Sequence, residues 1–176
     1  MDWLDIREFL IDSAKYVLVV VIVLVILIYI ATFQQVVGPS MSPTLNNQDV
    51  VLLLKFYYKI FDVKRNDVIA FEYAQTKYLI KRVIGLPGEH IEYIDNLLYI
   101  DGKAYEETAI KEATKDFKLE DLGYSEIPEN MYLVLGDNRG DSMDSRDKRV
   151  GLIDKKDILG KVGLKIWPLN GIKLVR

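Results

Sequence analysis

The chain contains no cysteine in its 176 residues. Disulfides, a thiol nucleophile and thiolate metal sites are therefore excluded, and the composition is compatible with an oxidising exterior. There is one histidine, His90. A single imidazole cannot build a two-histidine metal site within the chain, and it leaves one candidate for a histidine base. Charge of one sign is not concentrated anywhere, and the net charge is −3. Nucleic-acid binding, which needs a dense basic face, finds no support. No internal repeat or low-complexity linker occurs.

What is present is one long uncharged run, Tyr16 to Phe33, YVLVVVIVLVILIYIATF, 18 residues. As a helix rising about 1.5 Å per residue it spans about 27 Å, close to a hydrocarbon core. Its β-branched richness suits a buried strand, but strands of that length are rare and length favours a helix. A cleavable signal peptide is the rival reading. Its apolar core would be shorter and a small-x-small site should follow. Gln34 to Gly38 offers a poor one. The run therefore reads as a retained transmembrane anchor. Arg7 and Lys15 precede it, and the next basic residue is Lys55. That bias places the N-terminus in the cytoplasm and the rest outside. Residues 1–15 form a cytoplasmic lead, in which Asp2 to Ser13 (with Trp3, Leu4, Ile6, Phe9 and Leu10) reads as an interfacial amphipathic helix. Residues 16–33 are the anchor, and residues 34–176 form one extracytoplasmic, β-rich domain.

The exported part is expected to be mostly β. Strand patterns cover Asp49 to Tyr58, Asp67 to Tyr73 and Lys77 to Ile84, with Ala74-Gln75-Thr76 as a hairpin connection. His90 to Ile94 and Leu97 to Ile100 flank Asp95-Asn96 as a further hairpin, and Asp101-Gly102 is a turn. Thr108 to Ser125 reads as a loop or short helix. Met131 to Leu135 is a buried strand, Asp141 to Val150 a charged loop, and Lys161 to Pro168 and Ile172 to Val175 are closing strands. Short strands separated by turn signals point to a sandwich or partly open barrel. The apolar residues Val50 to Leu54, with Phe56, Tyr57 and Tyr58, read as core or as a surface resting on lipid; opposite faces of one strand allow both.

The chemistry centres on Gly38-Pro39-Ser40-Met41-Ser42-Pro43-Thr44-Leu45, a small-residue turn just beyond the anchor. A serine needs a base to become a nucleophile at neutral pH. His90 follows a Gly88-Glu89 turn and reads as a solvated turn residue. If it is set aside, lysine is the remaining base. A lysine must then lose its proton near neutrality, from an ordinary pKa of about 10.4, which requires burial to disfavour the ammonium by roughly 3 kcal/mol or more. Lys81 fits best. Strand alternation puts Leu79, Lys81 and Val83 on one face and Ile80, Arg82 and Ile84 on the other. The plainer reading of Lys81 is a strand lysine reaching out to water.

Three blocks carry a likeness to a known family. Ser40-Met41-Ser42-Pro43-Thr44-Leu45, then Lys81-Arg82-Val83-Ile84-Gly85-Leu86-Pro87-Gly88-Glu89, then Gly136-Asp137-Asn138-Arg139 leading into Ser142-Met143-Asp144-Ser145-Arg146, resemble the signature blocks of bacterial type I signal peptidases. Their order and the preceding anchor match, and the short length resembles the compact Gram-positive-type members. The resemblance implies a signal-peptidase-like β-barrel or sandwich and a Ser/Lys endopeptidase that cuts preprotein signal peptides at the bilayer, with no cofactor or metal. It implies Ser40 as nucleophile and Lys81 as general base. Ser42 falls at a variable position. Ser142 matches a serine that orients the lysine amine, and Asp144 and Arg146 match an ion pair in the site floor. Gly136, Asp137 and Asn138 match turn-forming support. Val36, Gly38, Met41, Leu45, Leu79 and Ile80 match positions at the substrate pockets. Where some members carry a serine that assists the oxyanion, this chain has Gly38, so the Ser40 N–H is the expected donor. Further departures are Gln48 before Asp49 and Gly140-Asp141.

Two other classes compete. A Ser/Lys self-cleaving regulator shares the dyad but carries a soluble regulatory segment where this chain has its anchor. A membrane-tethered β domain that binds a partner requires Ser40→Ala and Lys81→Met to be silent.

Overall fold

The computed structural model describes residues 3–74, 77–107, 110 and 113–175. A single long helix, α1 (Trp3–Ile30), opens the chain. From Asp5 to Ile30 it is long and apolar enough to cross a membrane, and none of its apolar window is buried against the rest of the molecule. Its β-branched residues are compatible with a helix of this kind, because a segment placed in an apolar medium must bond every backbone group within itself. The amphipathic lead is continuous with this helix from Trp3 onward; Met1 and Asp2 lie outside the described residues.

The helix ends earlier than the apolar run. Ala31, Thr32 and Phe33 belong to β1 (Ala31–Gln35), which pairs antiparallel with β2 (Val50–Leu54), Ala31 opposite Leu54 and Gln35 opposite Val50. The reason is non-local. The Lys55 N–H donates to the Ile30 carbonyl at 2.9 Å, and the Lys55 amine reaches the Ile28 carbonyl at 3.4 Å. These donors satisfy orphan carbonyls of the last turn and hold the chain against β2.

The expected first strand is also shorter than its apolar pattern. β2 stops at Leu54, and Tyr57 and Tyr58 sit in a one-turn helix, α2 (Tyr57–Ile60). Within β2, Val51 and Leu53 face the core and the residues between them are half-buried. β3 (Val68–Tyr73) and β4 (Lys77–Gly85) pair antiparallel as expected; of their connection, Gln75 and Thr76 lie outside the described residues. β5 (Ile91–Ile94) and β6 (Leu97–Ile100) form the second hairpin. Asp95 and Asn96 both have positive φ (50 and 67°), the signature of the tight hairpin turn. β7 (Lys103–Tyr105) follows the Asp101-Gly102 turn. The stretch 108–125, expected as a loop or short helix, contributes a short β8 (Phe117–Lys118) and a 3₁₀ helix at Leu119–Leu122; Thr108, Ala109, Lys111 and Glu112 lie outside the described residues. β9 (Met131–Leu135), β10 (Ile153–Asp154), β11 (Ile158–Trp167) and β12 (Lys173–Leu174) complete the chain.

The strands form two sheets. The larger runs β1-β2-β11-β3-β4-β9-β10, with β12 on β11; the smaller runs β7-β6-β5-β8. Neither closes on itself, so the fold is mostly β and open rather than a closed barrel. Central strands of the larger sheet are apolar on both faces because both are covered. In β3, Val68 and Ala70 join a core with Val36, Met41 and Leu45, while Ile69 and Phe71 join another with Val83 and Val134. A third cluster, around Tyr93, Leu119 and Leu133, lies under the smaller sheet.

Candidate active site

Gly38 begins the serine turn in a left-handed conformation, φ 90°, and its N–H donates to Asn47 Oδ1 at 3.0 Å. Only glycine adopts that geometry without strain. Two hydrogen bonds, Ser42 N to Pro39 O (2.9 Å) and Leu45 N to Met41 O (2.8 Å), then coil residues 39–45 into a compact turn. Met41 and Leu45 anchor it in the core, which leaves Ser40 half-buried at its rim. Among the described residues the Ser40 N–H makes no backbone hydrogen bond, which leaves it available to an incoming oxyanion. Ser42 points elsewhere; its hydroxyl bonds Asn46 Oδ1 at 2.9 Å.

β4 delivers the amine. Lys81 is 2% exposed. Its Nζ lies 2.8 Å from Ser40 Oγ and 3.0 Å from the Ile80 carbonyl. Burial pulls its pKa from the ordinary 10.5 down to about 8, against the opposing pull of Asp144 and Asp137. A small fraction of the neutral amine is then present at neutral pH, sufficient for a general base in contact with a hydroxyl. His90 is remote from this chemistry: its Nδ1 lies 2.7 Å from the Ser125 carbonyl in the smaller sheet's surroundings.

The floor is built by residues 136–146. Asn138 N donates to Ser40 O at 3.1 Å, and the Asn138 side chain reaches Pro39 O at 3.3 Å. Gly136 N donates to Asp144 Oδ2 at 3.0 Å. Asp144 also takes a two-point contact from Arg146, Nε to Oδ1 at 2.9 Å and Nη2 to Oδ2 at 2.8 Å. Burial alone would raise the Asp144 pKa; the Arg146 guanidinium and the Gly136 N–H outweigh it and hold the carboxyl below its usual range. Met143, Val36, Met41, Leu79 and Ile80 line, with Ser40 and Lys81, one cavity of about 1130 Å³ that continues to Tyr29 in the last turn of α1.

Against this geometry, residues 10–167 match the family described as signal peptidase, peptidase S26. The chain belongs to the signal peptidase family. It is 38% identical over 173 residues to signal peptidase I P of Bacillus subtilis subsp. natto, covering 93% of this chain and 92% of that one. It is 35% identical over 159 residues to signal peptidase IB of Staphylococcus aureus, covering 82% of each. The crystal structure of a signal peptidase I from Enterococcus faecalis superposes with a TM-score of 0.52 at 38% identity, covering 58% of this chain and 97% of that one.

The signal-peptidase signature blocks thus converge in space, but not every residue stands as expected. Ser40 and Lys81 meet, and Asp144 and Arg146 form their pair. Val36, Met41, Leu79 and Ile80 line the cavity. Leu45 does not; fully buried, it packs in the core beneath the turn. Gly38 shapes the turn and is absent from the cavity wall. Among the described residues the buried Ser142 hydroxyl has no hydrogen-bond partner, so the expected contact with the lysine amine is not made here.

Asp137 is more than turn support. Its carboxylate receives Arg82 through Nε (2.8 Å) and Nη2 (2.6 Å), and both side chains are almost fully buried. Arg82 also donates to the Asn66 carbonyl at 2.9 Å. Strand alternation gave the signal for this pair, since an arginine in an apolar strand demands a carboxylate, but nothing local named the partner. Arg139 is the second omission: buried, it reaches Glu107, Tyr93 and Thr114.

Proposed function

We propose that this chain is a membrane-anchored serine endopeptidase that removes signal peptides from exported preproteins, with Ser40 as nucleophile and Lys81 as base. The observation that carries the assignment is the 2.8 Å contact between the buried Lys81 amine and Ser40 Oγ. In the first step neutral Lys81 takes the Ser40 proton as the oxygen attacks the scissile carbonyl. The oxyanion is met by the Ser40 N–H. Collapse breaks the C–N bond, the protonated lysine gives its proton to the departing amine, and an acyl-enzyme remains. Lysine then deprotonates a water that releases the signal peptide and regenerates the serine.

Val36, Met41, Leu79 and Ile80 give the cavity small apolar walls, which suit the alanine-sized side chains of small-x-small cleavage sites. Before β9 pairs with β4 from Arg82 onward, the Leu79-Ile80 stretch has one neighbour, β3. An extended substrate can add to that open edge. Helix α1 is the anchor, with the N-terminus in the cytoplasm and the β-rich unit outside, as the Arg7 and Lys15 bias supports. The bilayer holds enzyme and substrate at one height and raises their effective concentration. Asp144 and Arg146 hold the floor.

The test is cleavage of a purified preprotein in detergent by wild type, Ser40→Ala, Ser42→Ala and Lys81→Met, with sequencing of the product N-terminus. Loss in Ser40→Ala and Lys81→Met, with Ser42→Ala active, is the expected outcome. Full activity in Ser40→Ala or Lys81→Met refutes the dyad.

A further inference from the structure

Glu107 and Thr114, which lie between β7 and β8, are not among the groups assigned above to bond cleavage, yet both grip the site floor. Arg139 follows directly on the Gly136-Asp137-Asn138 turn, and its side chain is fully buried. Its Nη1 donates to Thr114 Oγ1 at 2.6 Å, to Tyr93 Oη at 3.1 Å and to Glu107 Oε2 at 3.1 Å. Its Nη2 donates to Glu107 Oε1 at 2.5 Å. Glu107 is the only charged partner of this guanidinium among the described residues, and its side chain is 12% exposed.

The other end of Arg139 holds the site. Nε donates to the Gly136 carbonyl at 3.1 Å, and the Arg139 carbonyl accepts from Arg146 Nη2 at 3.0 Å. Gly136 is pressed against the Ser40 carbonyl so closely that a Cβ there would lie 2.5 Å from it. Arg146 is the partner that fixes Asp144. One buried guanidinium therefore spans from the smaller sheet to the groups that hold Ser40 and Asp144.

We infer that Glu107 is a positioning residue: by pinning Arg139 it fixes the Gly136 turn and the Arg146–Asp144 pair, and through them the placement of Ser40 against Lys81. The smaller sheet, whose strands line no part of the cavity at Ser40 and Lys81, thereby acts as a brace for the reaction. This inference rests on the Ser40/Lys81 reading. Neutralising Glu107 leaves a buried guanidinium short of its counter-charge, which pulls Arg139 toward water and loosens the floor. A loss of alignment on this scale affects turnover more than binding.

The experiment measures kcat and KM for preprotein cleavage by the full-length enzyme in detergent, with thermal unfolding of each variant. The variants are Glu107→Gln, Glu107→Asp, Thr114→Val and Ser40→Ala. Glu107→Gln is expected to lower kcat roughly 10- to 100-fold with KM within about twofold. Glu107→Asp, which keeps the charge, should recover part of the loss. An unchanged kcat in folded Glu107→Gln overturns the inference, whether or not its melting temperature falls, and so does a raised KM with kcat retained. If Glu107→Gln fails to fold, Thr114→Val decides: a lower kcat at constant KM supports the brace, and wild-type kcat overturns it. An active Ser40→Ala would instead overturn the underlying dyad.

Discussion

Lys81 and Arg82 are consecutive residues of β4 and both are almost wholly buried, but only the arginine has a carboxylate partner. Arg82 meets Asp137 at 2.6 Å. Lys81 contacts a hydroxyl and a carbonyl, and among the described residues no carboxylate lies within ion-pair distance of it. The difference suits their chemistry. A guanidinium cannot shed its proton, so burial obliges a counter-ion; an amine without one yields its proton instead. Moving a carboxylate from one neighbour to the other would remove the base.

The pH profile should report that amine. With Lys81 pulled down to about 8, the neutral form falls about tenfold for each pH unit below that value. The logarithm of kcat/KM is expected to rise with unit slope up to about pH 8 and then level off. A profile flat from pH 6 to 9 would count against a lysine base. Steady-state kinetics on a preprotein across that range provide the check.

The same burial lowers stability. A folded pKa of about 8 against an unfolded value of 10.5 means that the unfolded chain binds more protons between those limits. Stability should therefore rise with pH through that window, and below about pH 8 the full cost, on the order of 3 kcal/mol, applies. Lys81→Met is expected to abolish cleavage while raising the melting temperature at pH 7, with the gain shrinking above pH 9. Calorimetry at several pH values tests it, and a variant less stable than wild type at pH 7 would refute the reading.

The Arg82–Asp137 pair should behave in the opposite way. Asp137→Asn strands a buried guanidinium and is expected to cost about 3–5 kcal/mol of folding stability. The double change Arg82→Met with Asp137→Leu should restore much of that, because no charge is left without a partner. Urea unfolding of the single and double variants measures the difference.

Gly136→Ala probes the packing behind the nucleophile. An added Cβ would lie 2.2 Å from Ser142 Oγ, 2.6 Å from Ser142 Cβ and 2.5 Å from the Ser40 carbonyl, so both neighbours must give way. Because the carbonyl belongs to Ser40, the proposed nucleophile, kcat is expected to fall by roughly 100-fold. Ser142→Ala combined with Gly136→Ala removes only the hydroxyl contact, leaves the Ser142 Cβ and Ser40 carbonyl contacts, and should not restore the rate.

Much of this was legible in local pattern. Apolar length announced α1, the Asp95-Asn96 and Asp101-Gly102 pairs announced their turns, and alternation in Tyr78 to Ile84 separated Lys81 from Arg82. The misjudged points lie where distant segments decide. Ala31 to Phe33 continue an apolar run that is helical by composition, but pairing with Val50–Leu54 turns them into strand. Tyr57 and Tyr58 extend a strand pattern that ends when α2 begins. Leu45 is the exception: it resembles a pocket residue by position in its motif, yet the coil of its own turn directs it inward.

The sequence by itself determined that the chain carries one membrane-length helix and a mostly β remainder, and that Ser40 lies in a small-residue turn and Lys81 in an apolar strand. Period, length and turn chemistry are local properties, and they set which way a side chain points. Only the tertiary structure decided what each side chain meets. Ser40 and Lys81 are 41 residues apart, Arg82 and Asp137 are 55 apart, and Arg139 and Glu107 are 32 apart. Burial, counter-ion and pKa all follow from those long-range meetings, because each depends on the density and charge of atoms that surround a group and not on its neighbours along the chain.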